Sequence, residues 1–349
     1  MSAAFYCTEV VNPSSLARNQ YTFDSRMETG LQGFHEDTSF LSTLPKTKWK
    51  LGGDMTILQW KGFWLLPDVV KSVISIENHF NPIPSDILLV SFPKTGTTWL
   101  KALTATILGH SSYPKSHSRT DPLQTRSPHE LIPFLELETF GQNQPRDINQ
   151  FPSPRVFSTH SPYSALPESI KNSGCRIIYI SRNPADAFVS GWHFFKRMFG
   201  SEIPLEEAFD DFCKGTVPRG PFVDHVLEYW LQREKENVLF VTYEELTEDP
   251  NVHVRRITEF LGCSLSADEV EQVVWKCSYA RLSKLGVNNG DEERVNFSGM
   301  KLSSFFRSGV VGDGKKLLSP EMVERIETLA KQKWEGSGLE LKMFVAYRA

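Results

Sequence analysis

Four short, strongly apolar runs constrain the fold more than any other feature of the sequence. The runs are Asp86–Phe92, Arg155–Thr159, Arg176–Ser181 and Val238–Tyr243. Their length and their content of branched and aromatic residues predict strands that are buried on both faces of a sheet. Longer segments with helical character follow them, such as Thr97–Gly109 and Pro184–Met198. The alternation predicts an α/β fold, a single domain with a central parallel sheet flanked by helices.

Glycines, prolines and polar stretches mark the expected boundaries. Gly109 is a plausible stop for the first helix, and Pro184 stands at a helix-start position. The segment 55–70 has strand character that Pro67 is expected to end. Residues 1–45 are polar and unpatterned, so we expect an irregular N-terminal tail before a domain spanning 46–349. Segment 111–154 contains no convincing strand and is interpreted as a loop or gate on the substrate side.

Composition excludes several classes of protein. With 40% hydrophobic and 23% charged residues among 349, the chain has the composition of an ordinary globular protein. A formal net charge of -4 argues against a nucleic-acid partner for the whole chain. No run approaches the roughly 20 apolar residues of a membrane span, and the N-terminus is a poor signal peptide. The cysteines are interpreted as reduced thiols, and we expect a cytoplasmic protein; they are Cys7, Cys175, Cys213, Cys263 and Cys277.

The stretch SFPKTGTTWLK, Ser91–Lys101, is typical of an anion site although it lacks the spacing of the common nucleotide-binding loop. A strand, a tight turn and a helix would direct unpaired backbone N–H groups at one point, where Lys94 adds a positive charge. Gly96 permits close approach of the backbone. Hydroxyl donors are supplied by Thr95, Thr97 and Thr98. The motif therefore indicates a phosphate or sulfate ligand; the alternative is a threonine-capped helix after a proline turn.

A second glycine-rich segment, Gly309–Lys316, matches only part of the nucleotide-loop pattern. Lys316 stands where magnesium coordination needs serine or threonine, which argues against a nucleoside triphosphatase. Arg307 and the neighbouring lysines still predict a basic loop that suits an anion.

Several motifs together resemble those of one enzyme family. The strongest are PKTGTTW (93–99), RNPADAFVSGWHF (182–194) and FRSGVVGDGKK (306–316), with VFSTHSPY, VTYEEL and KCSY in the same order. From about residue 45 to its end, the chain resembles the soluble sulfotransferases that use 3′-phosphoadenylyl sulfate (PAPS) as co-substrate. TTWLKALT and SPHELIPFLE are similar to the plant-type branch of that family.

The resemblance implies a set of nucleotide-binding residues. The segment from Lys94 to Trp99 would form a P-loop-like strand–loop–helix around the 5′-phosphosulfate, with Trp99 near the adenine. Arg182 and Ser190 would bind the 3′-phosphate, and Tyr243 would contact the adenine, as the stretch Cys277–Tyr279 also would. The late segment would close over the 3′-phosphate through Arg307, Ser308 and Gly309.

The resemblance also implies a mechanism without a metal. The sulfuryl group would move in line to an acceptor hydroxyl, with His160 as base, and Lys94 would neutralise charge on the departing phosphate oxygen. An imidazole suits the base role because its ordinary pKa of ~6.5 leaves it largely neutral near pH 7. His110, His117 and His129 are expected to lie outside the chemistry.

Three residues depart from the family pattern. Ser158 stands where many animal members have lysine, Ser308 replaces a lysine, and Gly314 replaces a tryptophan. These departures keep open a second interpretation, a catalytically weak protein that binds PAPS or its desulfated product as a sensor or scaffold.

The acceptor is expected to be a small, aromatic or hydrophobic metabolite with a hydroxyl group. Candidates for the wall of its pocket are Phe63, Trp64, Tyr113, Phe134 and Tyr163. The animal dimer motif is not matched, which predicts a monomer or a weak homodimer; its positions hold Lys315, Ser319, Pro320 and Glu324.

Overall fold

The computed structural model describes residues 39–111, 121–141, 147–290 and 294–340. All of these belong to one compact unit, Glu36–Ala349. Most of the expected tail, 1–38, lies outside the described residues, whereas Ser39–Thr43 form a 3-10 helix. The domain boundary placed at residue 45 stays a prediction.

A small antiparallel sheet opens the described chain. Its strands are β1 (Lys46–Trp49), β2 (Met55–Trp60) and β3 (Phe63–Leu65), paired in that order. Lys61 and Gly62, with φ of 49° and 89°, form the turn between β2 and β3. Pro67 does not merely end a strand, because it begins helix α1 (Pro67–His79). Proline suits the first helical position, where its missing N–H costs no hydrogen bond.

The central sheet contains all four strands that the apolar runs predict. These are β4 (Ile87–Ser91), β5 (Val156–Thr159), β6 (Arg176–Ser181) and β7 (Val238–Thr242). They pair in the order β5-β4-β6-β7, and every pairing is parallel. The α/β prediction is therefore confirmed. The carboxyl ends of β4, β5 and β6 meet at one edge, the place where parallel sheets bind ligands.

Two apolar clusters cover the opposite faces of this sheet. On β4, Leu88 and Val90 belong to one cluster, while Ile87 and Leu89 belong to the other. This alternation follows from the two-residue period of a strand, which sends successive side chains to opposite faces. Both faces are dry, which explains why the strand runs are continuously apolar.

Helices pack on both faces of the sheet and connect its strands. Those after α1 are α2 (Thr97–Ser111), α3 (Pro128–Leu131), α4 (Glu168–Asn172), α5 (Pro184–Phe199), α6 (Leu205–Cys213), α7 (Phe222–Trp230), α8 (Tyr243–Glu248), α9 (Pro250–Phe260), α10 (Ala267–Lys276), α11 (Tyr279–Leu282), α12 (Gly286–Asn289), α13 (Gly314–Leu317) and α14 (Pro320–Trp334). The expected end of the first helix at Gly109 was wrong, because α2 continues through it to Ser111. No helix among the described residues is long and apolar enough to cross a membrane.

Two other expectations concern the cysteines and the segment before β5. Within the described residues four cysteines are free thiols: Cys175, Cys213, Cys263 and Cys277. The described parts of 111–154 contain short helical turns and one isolated bridge, Phe134 to Ser158, which brings this segment beside the end of β5.

Candidate active site

The anion loop, defined here as Phe92–Gly96, connects β4 to α2 and is held rigidly. The Thr95 hydroxyl lies 2.8 Å from the Phe92 carbonyl and 3.0 Å from the Ile180 carbonyl of β6. Thr95 thus fastens the loop to the sheet, and its predicted contact with an anion stays a prediction. Gly96 has φ of 122°, and a Cβ there would lie 2.7 Å from Ile180 Cδ1. Only glycine fits this position without strain.

Lys94 lies half-buried in the anion loop, with φ of 73°. Its ammonium is 3.8 Å from the ring centre of Phe194 and 5.4 Å from that of Phe305. Burial lowers the pKa of Lys94 to about 7, and the charges of Arg182 and Arg307 act in the same direction. No carboxylate of the described residues forms an ion pair with it, so an anionic ligand would supply the missing counter-charge.

His160 lies directly after β5, beside the anion loop. Its Nδ1 is 2.7 Å from the Ser91 carbonyl oxygen at the end of β4. A carbonyl only accepts hydrogen bonds, so Nδ1 carries the proton and Nε2 keeps its lone pair. Burial, followed by the charge of Arg219, holds the pKa of His160 well below its ordinary value. No described residue bonds to Nε2. The ring is thus a neutral, oriented proton acceptor.

Buried polar groups fix the backbone of His160 on both sides. Glu136 accepts the His160 N–H at 2.8 Å and pairs with Arg219 at 3.1 Å. His225 Nε2 donates to the His160 carbonyl at 3.1 Å, and the Tyr179 hydroxyl bonds His225 Nδ1 at 3.0 Å. Burial lowers the pKa of His225 to about 3, so it stays neutral and keeps this arrangement.

Arg182 and Ser190 lie on one side of the anion loop, at the end of β6 and on α5. The Arg182 guanidinium lies 4.4 Å from the ring centre of Tyr243 and donates to Asp186 at 3.3 Å and to the Val310 carbonyl at 2.7 Å. Its Nε is buried and has no partner among the described residues. The Ser190 hydroxyl likewise bonds to no described residue. Both groups retain donors that a phosphate could accept.

The late loop, defined here as Phe306–Gly314, packs against the start of α5. Asp186 accepts the N–H groups of Gly312 at 2.9 Å and Gly314 at 2.7 Å. A Cβ at Gly314 would lie 2.8 Å from Ala185 Cβ. The tryptophan that the family usually has here could not follow this path, so the glycine and the course of the loop belong together.

Charged groups in the late loop are paired with each other. Asp313 accepts hydrogen bonds from Arg307 and, at 3.3 Å, from the Ser308 hydroxyl. Gly309 has φ of 66°, and a Cβ there would lie 2.4 Å from the ring of Tyr279. The structure therefore brings Gly309 against the Cys277–Tyr279 stretch, while Arg307 stays exposed.

Two aromatic side chains proposed for the adenine lie together. The rings of Trp99 and Tyr243 have centres 5.2 Å apart at an angle of 68°.

Thr97, at the first position of α2, forms a hydrogen bond with Ser91 Oγ at 2.6 Å. This bond connects the start of α2 to the end of β4, whose Ser91 carbonyl also bonds to His160.

An aromatic surface adjoins His160. The ring of Phe134 lies 4.7 Å from that of His160 and 6.4 Å from that of Phe297. Of the predicted wall residues, Phe134 is placed at the site. Tyr113 lies outside the described residues, whereas Phe63 and Tyr163 pack on His225 and Tyr229, and Trp64 pairs with Gln59 within its sheet.

Ser158 is fully buried beneath this surface. Its N–H and its hydroxyl lie 2.9 and 3.1 Å from the Pro133 carbonyl. Ser158 therefore helps to hold the segment that carries Phe134 and Glu136, and its side-chain share of this contact depends on the hydroxyl.

Two residues that the sequence analysis did not assign belong to this region. His129, expected to be unrelated, bonds Thr98 Oγ1 through Nε2 at 2.8 Å and Lys101 Nζ through Nδ1 at 3.3 Å. The side chain of Lys101 is 0% exposed, and its ammonium lies 3.7 Å from the ring centre of Phe134. The sequence contains one indication of this arrangement: Thr98 and Lys101 are three residues apart on α2, which places them on one face of the helix.

Comparison with known proteins identifies the family. The profile described as "Sulfotransferase domain" matches residues 84–338. The chain belongs to the sulfotransferase family. Cytosolic sulfotransferase 12 of Arabidopsis thaliana is 41% identical over 311 residues, covering 87% of this chain and 94% of that protein. Cytosolic sulfotransferase 5 of the same plant is 39% identical over 326 residues, covering 90% and 99%.

Solved structures agree with this membership of the sulfotransferase family. A crystal structure of an Arabidopsis thaliana protein assigned as a steroid sulphotransferase has a TM-score of 0.69 at 36% identity, over 87% of this chain and 95% of that one. A mouse sulfotransferase crystallised with PAP, the desulfated nucleotide, has a TM-score of 0.65 at 26% identity, over 80% and 95%. The predicted family, fold and enzyme class are thereby confirmed.

Proposed function

We propose that this sulfotransferase transfers the sulfuryl group of PAPS to a hydroxyl of a small aromatic or hydrophobic metabolite, with His160 as the base. One observation carries the proposal: the open Nε2 of a neutral His160 lies beside the anion loop that contains Lys94. The two groups come from the ends of β4 and β5, which are neighbours in register, with Val90 opposite Thr159. A base and a cation at adjacent strand ends suit transfer of an anionic group.

The residues present fit PAPS at both of its charged ends. Lys94, Gly96, Thr97 and Thr98 would hold the 5′-phosphosulfate, with the N–H groups of the first turn of α2. The 3′-phosphate would take the free donors of Arg182 and Ser190 together with Arg307, Ser308 and Gly309. Trp99 and Tyr243 would flank the adenine. PAPS supplies an activated sulfuryl group on a phosphate leaving group.

His160 and Lys94 divide the chemistry between them. The Nε2 lone pair of His160 takes the proton of the acceptor hydroxyl while the acceptor oxygen forms its bond to sulfur. The bond between sulfur and the phosphate oxygen breaks, and its electron pair stays on that oxygen. Lys94 balances this charge in a half-buried setting, where electrostatic interactions are stronger than in water.

The surroundings of His160 favour an apolar, flat acceptor. Phe134 lies against His160, and Phe297 lies near Phe134. Among the described residues Glu136 is the only carboxylate that contacts His160, and it is already paired with Arg219. The similar Arabidopsis thaliana structure assigned as a steroid sulphotransferase supports this acceptor class. The names of the relatives support a cytoplasmic location. Two further statements stay predictions from the sequence: the protein needs no metal, and it is a monomer or a weak homodimer.

The test is transfer of labelled sulfate from PAPS to a panel of phenols, flavonoids and hydroxylated steroids. We expect turnover with several hydroxylated aromatic or steroid acceptors and none with their methyl ethers. Tight binding of PAP without transfer to any acceptor would support the sensor interpretation instead. Absence of PAP binding would contradict both.

A further inference from the structure

A buried lysine beside the anion loop has no role in the function proposed above. Lys101 lies in the first turns of α2, is 0% exposed, and therefore cannot itself touch a nucleotide. Its ammonium lies over Phe134 and within 3.3 Å of His129 Nδ1. Burying a charge without compensation is costly, so any effect of this one must pass through the groups that it contacts.

The tautomer of His129 fixes which of its two ring nitrogens donates a hydrogen bond and which accepts one. Its pKa is held well below the ordinary value by burial and by the charges of Lys101 and Lys94, so the ring is neutral with one N–H. An ammonium only donates, so His129 Nδ1 must accept from Lys101 and Nε2 must carry the proton. Nε2 then donates to Thr98 Oγ1, which lies 2.8 Å away.

The charge state of Lys101 completes the argument. Burial lowers the pKa of Lys101 to about 7, whereas the nearby carboxylates of Glu138 and Glu136 favour the ammonium. The face of Phe134 at 3.7 Å favours the cation as well. A dianionic nucleotide phosphate beside α2 would add to this preference, so the ammonium form is the relevant one in the complex.

We propose that Lys101 and His129 form a buried hydrogen-bond relay that orients the Thr98 hydroxyl as a donor to the phosphate or phosphosulfate group at the 5′ end of the nucleotide. The inference rests on the proposed function. Because Thr98 Oγ1 accepts from His129, its own hydrogen is directed away from that ring. Lys101 and His129 are thus positioning residues, and Thr98 is the residue that meets the ligand.

A double-mutant cycle on PAP binding tests the relay. Lys101→Met and Thr98→Val should each weaken PAP about 10-fold, the scale of one hydrogen bond to a charged group. Once Thr98 is valine, the relay has nothing to orient, so adding Lys101→Met should cost a factor below 3. A factor of 3 or more in that background would overturn the proposal, because Lys101 would then act independently of Thr98.

Two further arms separate the relay from a general structural role. Adenosine 3′-phosphate lacks the 5′-phosphate, so its affinity should change less than 2-fold in both single variants; equal weakening of both nucleotides would overturn the proposal. Thr98→Ser retains the hydroxyl and should bind PAP as the wild type does, whereas a 10-fold loss would overturn it. If Lys101→Met does not fold, the same cycle is run with His129→Leu, and the same factor of 3 decides.

A second lysine–histidine pair, formed between α10 and α2, supplies the matched control. Lys276 Nζ of α10 lies 3.1 Å from His110 Nε2 in the last turn of α2. Lys276→Met should leave both nucleotide affinities unchanged; a loss of PAP affinity equal to that of Lys101→Met would overturn the specific role of Lys101. A wild-type protein that does not bind PAP would contradict the proposed function itself, which distinguishes that failure from failure of the relay.

Discussion

The anion loop and the late loop, which we propose supply groups for the same nucleotide, are built differently. The anion loop follows the end of β4, and Thr95 fastens it to its own Phe92 carbonyl at 2.8 Å and to the Ile180 carbonyl of β6 at 3.0 Å. In the late loop, Arg307 is exposed, and both it and Ser308 bond to Asp313. One region is fixed before the ligand arrives, whereas the other holds its donors in internal pairs.

The difference suits two different tasks, positioning of the reacting group by the anion loop and binding of a non-reacting phosphate by the late loop. A reacting group must be placed accurately, so a rigid setting is needed at the sulfuryl end. In the proposed reaction the 3′-phosphate does not react, so a loop that exchanges an internal aspartate for a ligand phosphate would be sufficient there. Asp186 connects the late loop to Arg182 at the end of β6, since it accepts from Arg182 and from the amides of Gly312 and Gly314.

The sharpest way to break the comparison is to remove Arg182, which bonds to the late loop through the Val310 carbonyl and is proposed to bind the 3′-phosphate. Arg182→Ala should weaken PAP by about 10- to 100-fold, since hydrogen bonds to charged groups contribute about 1.5–3 kcal/mol. The affinity for adenosine 5′-phosphate, which lacks the 3′-phosphate, should fall far less. Calorimetric titration with both nucleotides measures this difference.

Arg233 provides a matched control for that experiment, because its guanidinium also lies over an aromatic ring, 4.0 Å from the centre of Trp230. Arg233→Ala should change neither affinity. Equal weakening of the two nucleotides by Arg182→Ala would mean that Arg182 holds the late loop and α5 in place rather than binding the phosphate.

The pH dependence of PAP affinity sharpens the account of the anion loop. In the nucleotide-free protein the pKa of Lys94 is about 7, and a bound anion would raise it. Binding above pH 7 then requires proton uptake, so affinity should fall by up to ~10-fold per unit as the pH rises above 7. The second ionisation of phosphate, near pH ~6, is complete in this window.

Lys94→Met is the control, and it should bind PAP with a reduced slope between pH 7 and 9. Calorimetry in buffers of different ionisation enthalpy would count the protons taken up. An identical slope in the wild type and in Lys94→Met would show that Lys94 does not meet the anion.

The smallest expected effect belongs to the late loop. Ser308→Lys adds a cation, but the Asp313 carboxylate that Ser308 contacts would compete with the ligand for it. We therefore expect PAP to bind tighter by less than ~10-fold, and less still at high salt because exposed charges are screened. Titration at two salt concentrations measures this. Weaker binding at low salt would remove Arg307 to Gly309 from the binding site.

The sequence predicted the fold where local chemistry decides it. The apolar runs became β4 to β7 because strands buried on both faces carry apolar side chains at successive positions, and Pro184 begins α5 as expected. Gly109 misled because it does not adopt the positive φ that is typical of a glycine after a helix, and α2 simply continues through it.

The sequence identified candidate site residues only where they lie within short contiguous motifs. The anion loop, Arg182 and His160 stand in recognisable patterns, and the structure brings them to one edge of the sheet. Lys101 and His129 are 28 residues apart, and their contact depends on how α3 packs against α2. The pairing of Arg307 with Asp313 and the use of Asp186 as a shared acceptor likewise follow from the path of the late loop, which no spacing rule gives.

The central claim is that His160 takes the acceptor proton in a site fixed by the surrounding strand ends. The most direct measurement is single-turnover sulfuryl transfer from saturating PAPS by wild-type and His160→Ala proteins, with PAP affinity measured in parallel. We predict a rate loss of ~10²–10⁴-fold with PAP affinity unchanged within ~3-fold, since general base catalysis contributes that much. A transfer rate within ~10-fold of wild type would remove His160 from the proton transfer and contradict the account.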